Sequence, residues 1–316
     1  MIDVTQAPYN CRFDWTGTDA TATDNYAGLQ AAIDDAAVLT APGIDLGGVI
    51  GGVLQFPKGM GLVSQKLVLP FGVSMRGQGH SYYASGLKMS DNFDNNSHFI
   101  DLGDETTHLA AMGCSISDMI LFSRNREAAA NKSMIYTNNA QDTDPIVGRC
   151  RIYSGNRACI WGEKGWGGAS LINFRNLSLH NVGSLNGAVS SPLMWLNYGD
   201  GTMVRMDGIE PAVYAGGVPN SYGLYMAGGN FDIRGYHAEQ IWTGAAVDLA
   251  GGGKVHFEHC TGGNDVDRLI TINNRPSQAG KTTVKNVAKN GCNYTVLNGL
   301  SGGTSYTTDI GAEVTF

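Results

Sequence analysis

From Met203 to Val287 the chain repeats one short pattern: an apolar residue, any residue, then a small or polar turn-former. It reads Met206-Asp207-Gly208, Ile233-Arg234-Gly235, Phe257-Glu258-His259 and Val284-Lys285-Asn286. Upstream, less regularly, come Ile116-Ser117-Asp118, Ile152-Tyr153-Ser154 and Phe174-Arg175-Asn176, and the steps between successive third residues are 36, 22, 32, 27, 24 and 27. A second set interleaves with the first: Met134-Ile135-Tyr136, Cys159-Ile160-Trp161, Leu193-Met194-Trp195, Gly223-Leu224-Tyr225, Ala246-Val247-Asp248, Leu269-Ile270-Thr271 and Thr295-Val296-Leu297. Two short apolar strands per turn, with turns of roughly 22 to 30 residues, are what a coil of parallel β-structure needs, because each coil buries its inward side chains against the last. A β-sandwich favours two-residue hairpin turns and strands at roughly 8- to 12-residue spacing. The paired registers argue against it, as does the variable step length, since loops bulge from a solenoid rung without disturbing its neighbours. The pattern predicts an all-β right-handed parallel β-helix.

Ahead of the repeat, Asp24 stands where a helix N-cap accepts backbone N–H bonds. From about Tyr26 to Leu39, Leu29, Ala32, Ile33, Ala36 and Ala37 fall on one helical face, with Gln30, Asp34 and Asp35 on the other. An amphipathic helix here is expected to cap the open strand edge of the first rung, which would otherwise invite aggregation. Residues 80 to 112 are polar and irregular and read as a long excursion between early rungs. The segment from Gly302 to Phe316 reads as a last strand pair or an arm, and as the candidate cap for the far end. The expected organisation is one structural domain: 1–79 with the capping helix and first strands, 80–300 with the rungs, and 301–316 as C-terminal strands or arm.

Residues 13 to 79 carry a family resemblance. A loop containing Asp14, Gly17 and Asp19 leads to Thr23-Asp24, and the helix carries Leu29-Gln30-Ala31-Ala32-Ile33-Asp34. A Gly51-Gly52 strand then ends in Phe56-Pro57-Lys58-Gly59, followed by Leu67-Val68-Leu69-Pro70 and Arg76-Gly77-Gln78-Gly79. This order resembles the opening of the pectate-lyase-like β-helix superfamily, in which it accompanies lyases, hydrolases, epimerases and bacteriophage tailspikes alike. The signatures of particular enzymes in that superfamily are missing. Asp34-Asp35 is the only Asp-Asp pair and lies on the helix, Gly79-His80 does not make a Gly-His-Gly site, and there is no Arg-x-Pro-x-x-Arg or acid cluster poised for calcium. No catalytic residue of the family is carried over.

Composition narrows the partners. The chain has 316 residues and a formal net charge of −7, with no basic stripe for a nucleic-acid backbone. Gly numbers 44 without a three-residue period, which suits turn-rich β-structure. No apolar run reaches the roughly 18 residues of a membrane span, and Met1-Ile2-Asp3-Val4 begins no signal peptide. The six cysteines form no CxxC pair and no zinc spacing, so buried reduced thiols are expected, with Cys114 and Cys150 stacked at one place in the repeat. Neither a metal nor a cofactor is expected.

Positions one before the turn-former point outward and read Ser117, Tyr153, Arg175, Asp207, Arg234, Glu258, Lys285. Those three before it read Ser115, Arg151, Asn173, Arg205, Asp232, His256, Thr283. Together with Glu210, His237 and Glu239 on the following turn they predict one polar face. As a glycan groove, that face offers Asp207, Asp232 and Glu258 as candidate catalytic carboxylates. Diagonal neighbours among them stand roughly 8 Å apart, inside the range of an inverting pair. Arg205, Arg234, His237, Glu239 and Trp242 are the candidate substrate-binding residues. As a structural device the same face is a ladder of ion pairs that sets register, and the basic neighbour beside every acid favours this second reading. Trp161, Trp166, Trp195, Tyr225, Tyr236 and Trp242 are candidate sugar platforms or ordinary core residues. Asn and His in the turn column, such as His259 and Asn286, are expected to turn inward and bond backbone.

The resemblance, with the absent signal and unpaired cysteines, points to a bacteriophage virion protein of tailspike or fibre type. Its expected partners are a bacterial surface polysaccharide and other virion proteins, as a homotrimer made in the host cytoplasm. No virion-binding head domain is recognisable, so a short fibre, a decoration subunit and a spike domain carried by an adaptor stay open. The alternatives are a secreted bacterial polysaccharide lyase, glycoside hydrolase or epimerase, and a purely structural virion decoration protein.

Overall fold

The alternation of inward apolar and outward polar residues builds stacked parallel strands, and the order of those strands shows three per coil. The first column starts with Ile2–Asp3 and runs through Val53–Gln55, Ser74–Arg76, Ser115–Ser117 and residues 147–148, 171–175, 203–207 and 230–234 to Gly253–Glu258 and Thr282–Lys285. The second holds Gly59–Val63, Ser85–Met89, Ile120–Ser123, residues 150–154, 177–181 and 209–213, then His237–Ala238 and Thr261–Gly262. The third runs from Leu67–Leu69 and Ile100–Leu102 through Ser133–Asn138, Ala158–Glu163, Met194–Asn197, residues 222–226, Thr243–Val247 and Arg268–Ile272 to Tyr294–Asn298. This is the parallel β-helix, seen here in a computed structural model. The described residues are 1–37, 51–70, 72–81, 84–103, 111–124, 132–138, 140, 141, 143–155, 157–163, 171–181, 192–199, 201–213, 221–249, 253–263, 265–273, 282–288, 291–298, 304–306, 314 and 315.

Several expectations are corrected. The coil has three strands, not two: from Asp118 onward the middle strand follows the turn-former directly, so nothing in the sequence separates it from the strand before. Within the stretch expected to be an excursion, Ser85–Met89 and Ile100–Leu102 are regular rung strands. The upstream register also shifts. Residues in the left-handed conformation mark the corner between first and second faces: Asp118, Arg149, Asn176, Gly208, Gly235, His259 and Asn286. Arg149, not Ser154, occupies the corner of its rung, so the steps around it become 31 and 27 residues. Cys150 therefore lies on the second face opposite Leu177 and does not stack on Cys114. In the interleaved set, Ala245 rather than Val247 is the inward partner of Leu224 and Ile270.

The corner residues do not turn inward. Asn176, His259 and Asn286 are exposed and serve the backbone, because a positive φ is least costly for Gly, Asn, Asp and His. Gly208 is held to glycine twice over: its φ is 66°, and an added Cβ would lie 2.7 Å from Asn176 Oδ1 on the rung before. All six cysteines are free and buried, and burial pushes the Cys114 and Cys150 thiols up to about 12, which leaves them unreactive.

Helix α1 (Tyr26–Ala37) buries Leu29, Ala32, Ile33 and Ala36 against the first rung. Gln30 Oε1 accepts the Val68 N–H at the otherwise open edge. Asp24 accepts the Tyr26 N–H, but it also accepts the Ser64 N–H, so one carboxylate joins the helix start to a strand end. Buried Asn25 beside it does more. Its Nδ2 donates to the carbonyls of Arg12, Thr23 and Leu62, and its Oδ1 accepts the Arg12 N–H. At the far end Thr304–Tyr306 pairs antiparallel with Tyr294–Asn298, and Val314–Thr315 with Thr282–Lys285. No described helix is long and apolar enough to cross a membrane.

Two histidines are packed as neutral rings. His98 stacks on Tyr136 with centroids 4.1 Å apart, and its Nδ1 accepts the Ser133 N–H. Burial first, then nearby Lys132, pulls it down to about 3. His180 stacks on Tyr153, and burial, helped by Arg151, lowers it to about 4.

Asn25→Ala should cost about 2 kcal/mol, seen as a lower urea midpoint at unchanged slope, because the Arg12 N–H loses its acceptor and the half-buried Arg12 and Thr23 carbonyls lose this donor. The histidines set an acid limit. Their folded pKa values lie below the unfolded value near 6.5, so their contribution is complete above that pH and is lost as pH falls towards 4. Thermal melts should therefore show stability falling by roughly 2 kcal/mol per histidine between pH 7 and 4.5, and His180→Gln should flatten part of that slope.

Candidate functional site

Strand alternation on the first face turns every second side chain outward, into solvent except at buried Asn173, and the register sets those side chains side by side. Asn173, Arg205, Asp232, His256 and Thr283 form one outward column, and Arg175, Asp207, Arg234, Glu258 and Lys285 form the next. From residue 173 onward these are the columns that the sequence pattern predicts. Upstream they differ: Arg151 and Tyr153 sit on the second face, opposite Ser178 and His180, because Arg149 takes the corner.

Arg234 ties the columns together. Its Nε lies 3.2 Å from Asp232 Oδ1 and 3.8 Å from Glu258 Oε2, and Lys285 Nζ lies 3.8 Å from Glu258 Oε1. Two adjoining depressions open on this face, of about 500 Å³ and about 270 Å³. Arg205, Asp232 and Arg234 line both, which makes one continuous groove across neighbouring rungs. Asp207 and Arg175 close the smaller part, while Lys254, His256 and Thr283 line the larger.

The structure thus brings together Arg205, Asp207, Asp232 and Arg234. Glu258 stands at the edge, reached through Arg234. His237 and Glu239 are elsewhere, and so is Trp242. Gly235, with φ 62°, turns the chain onto the second face, so residues that follow it leave the groove. There His237 Nε2 lies 3.0 Å from Glu239 Oε1, and its Nδ1 lies 2.7 Å from Thr261 Oγ1. Trp242 lies between the second and third faces with the Arg268 guanidinium 5.7 Å from its ring centroid. The single polar face expected from the sequence is two faces around a corner.

The aromatic candidates do not line the groove either. Trp161 and Trp195 stack on the third face with centroids 4.2 Å apart, next to Tyr225, whose hydroxyl donates to Asp248. Tyr236 is buried and donates to the Gly244 carbonyl. Trp166 lies outside the described residues. Met203, Asn230 and Lys254 were missed; they form a third column two residues before that of Arg205 and Asp232. The same alternation, carried one step further back, identifies them.

At the corner, Asp118 accepts Arg149 Nε at 2.6 Å and Arg149 Nη2 at 2.8 Å, with Arg76 Nε at 3.7 Å. The Arg149 hydrogen bonds hold the Asp118 carboxyl below the usual range. Among the described residues no group of three or more His, Cys, Asp or Glu is placed to hold a metal ion.

No protein-family model and no curated protein matches this chain. Solved structures do. A tailspike protein mutant of E. coli bacteriophage HK620 in complex with a hexasaccharide is similar with a TM-score of 0.63 at 15% identity, covering 96% of this chain and 54% of that one. The tailspike protein of the same phage in complex with a pentasaccharide matches with a TM-score of 0.60 at 16% identity, covering 92% and 50%. The chain spans about half the length of the tailspike structures it matches. At this identity the likeness is one of fold, and it establishes the right-handed parallel β-helix.

The ion pairs on the first face are solvent-screened, with the Arg234 side chain 57% exposed. Arg234→Ala should therefore leave the urea midpoint nearly unchanged. A clearly lowered midpoint would mean that the ladder is kept for stability.

Proposed function

We propose that this chain is the polysaccharide-binding β-helix of a bacteriophage virion protein of tailspike or fibre type, working as a homotrimer. The observation that carries the reading is the groove. It crosses successive rungs and repeats its polar side chains at the strand spacing of roughly 4.8 Å, a period suited to an extended polymer rather than a compact ligand. The tailspike structures with the same fold hold a pentasaccharide and a hexasaccharide. A solenoid presents such a surface because each rung adds one row and leaves its neighbours in place.

Binding is favoured over cleavage. Asp207 and Asp232 are diagonal neighbours at about 7–8 Å, which is room for a water between two carboxylates. Asp232, however, accepts a hydrogen bond from Arg234 and Glu258 is ion-paired with it, and this ties both into ligand-positioning rather than proton donation.

The test is titration calorimetry of the full chain against bacterial O-antigen and capsular polysaccharides. Arg205→Ala and Asp232→Ala should each weaken binding about tenfold or more with unchanged melting temperature, while Asn197→Ala on the third face should have no effect. Unchanged binding by both groove variants would place the site elsewhere, and no binding to any polysaccharide would favour the purely structural virion protein. Sedimentation should give three times the chain mass; a monomer at all concentrations removes the trimer. Release of reducing ends, abolished by Asp232→Asn, would restore the hydrolase reading.

A further inference from the structure

The groove carries a charge that the rest of the chain does not. The whole protein has a formal net charge of −7. On the first face, five consecutive rungs each contribute one cation in turn: Arg175, Arg205, Arg234, Lys254 and Lys285. Among the described residues of these columns three carboxylates, Asp207, Asp232 and Glu258, stand with them.

Depth accentuates the imbalance. The side chains of Arg234 and Lys285 are 57% and 42% exposed, whereas those of Asp232 and Glu258, their partners, are 28% and 17% exposed. The acids lie beneath the cations and hold them out towards solvent. A ladder that only set register would need matched pairs. Arg205 and Lys254 have no ion pair among the described residues, although both are exposed and both line the groove. Their charge is surplus to the ladder and is available to a ligand.

From these observations we infer that the polymer recognised along the first face is anionic: a polysaccharide whose repeating unit carries carboxylate or phosphate. The inference rests on the glycan-binding reading above and specifies its substrate class. Successive rungs rise roughly 4.8 Å, so these cations span about 19 Å along the solenoid axis, and they lie in three columns spread over roughly 13 Å across it, a band that one chain running along the axis can follow. The guanidinium fork of Arg205, common to both parts of the groove, suits the two oxygens of a carboxylate or phosphate. Nucleic acid is disfavoured by Asp207, Asp232 and Glu258, which interrupt the positive field where a phosphate backbone would run continuously.

The test uses affinity electrophoresis of the full chain against purified bacterial polysaccharides of defined structure, some neutral, some bearing uronate and some bearing phosphate, with duplex DNA as a further arm. Binders are retested after chemical neutralisation, with carbodiimide and borohydride reduction for carboxylates and hydrofluoric acid for phosphodiesters, the latter checked for retained chain length. Retardation should be confined to anionic polymers, should weaken about tenfold or more on neutralisation or at high salt, and should identify which anion is read. Arg205→Gln and Lys254→Gln should each reduce the salt dependence with unchanged thermal melts, and Arg205→Lys should recover part of it. Equal retardation by neutral or neutralised polymers overturns this inference and leaves the glycan-binding reading standing. Retardation by no polysaccharide, or by DNA alone, overturns both.

Discussion

From Asp118 onward each described coil turns sharply between its first and second strands, and one residue does so by adopting a positive φ. That corner governs the molecule: it fixes which side chains follow it inward, and its repetition keeps both faces in register. Asp118, Asn176, His259 and Asn286 are the side-chain types that tolerate this conformation best, and Gly208 and Gly235 have no Cβ to oppose it. Arg149 is the exception. The structure compensates by using its side chain, whose guanidinium clasps Asp118 at the corner of the preceding rung.

Once the corners are aligned, the inward residues stack as an apolar column and the outward ones are free to vary. The outward variation differs on each face. The first face carries charge in rows, with cations raised over carboxylates. On the second face Lys88 points outward yet is fully buried, because the N-terminal segment covers it: Asp19 grips its ammonium at 2.9 and 3.0 Å, and Trp15 lies over it. The third face carries an aromatic column, Tyr136, Trp161, Trp195 and Tyr225, steadied by Glu163 and Asp248. One repeating backbone thus supports a face covered at its N-terminal end, an aromatic face and an open charged groove.

The near end depends on a few polar groups more than on area. Helix α1 supplies the apolar plug, but Asn25, Asp24 and Gln30 satisfy backbone groups that the first rung leaves without a strand partner. Asn25 bonds the chain on both sides of itself, so the helix and the preceding loop dock as one unit. At the other end the direction of pairing changes from parallel to antiparallel, which closes the stack with two short strands.

The local features were legible in the sequence. Strand alternation and an αL-tolerant residue are properties of a few consecutive side chains, so the helix, the solenoid and the two outward columns from Asn173 to Lys285 follow from the pattern. The stretch Cys150-Arg151-Ile152-Tyr153-Ser154 alternates like the strand before a corner. Arginine carries no signal for a left-handed turn, so the correct corner at Arg149 was hidden. The middle strand was hidden too, since it follows its corner with no punctuation of its own. What tertiary structure alone decided is relative direction and depth. The turn at Gly235 sends His237 and Glu239 to another face, and packing between rungs sinks Asp232 and Glu258 beneath Arg234. Spacing along a chain specifies which residues stand side by side in a sheet, but the angle at a corner and the height of a side chain above it arise from contacts with residues far away in sequence.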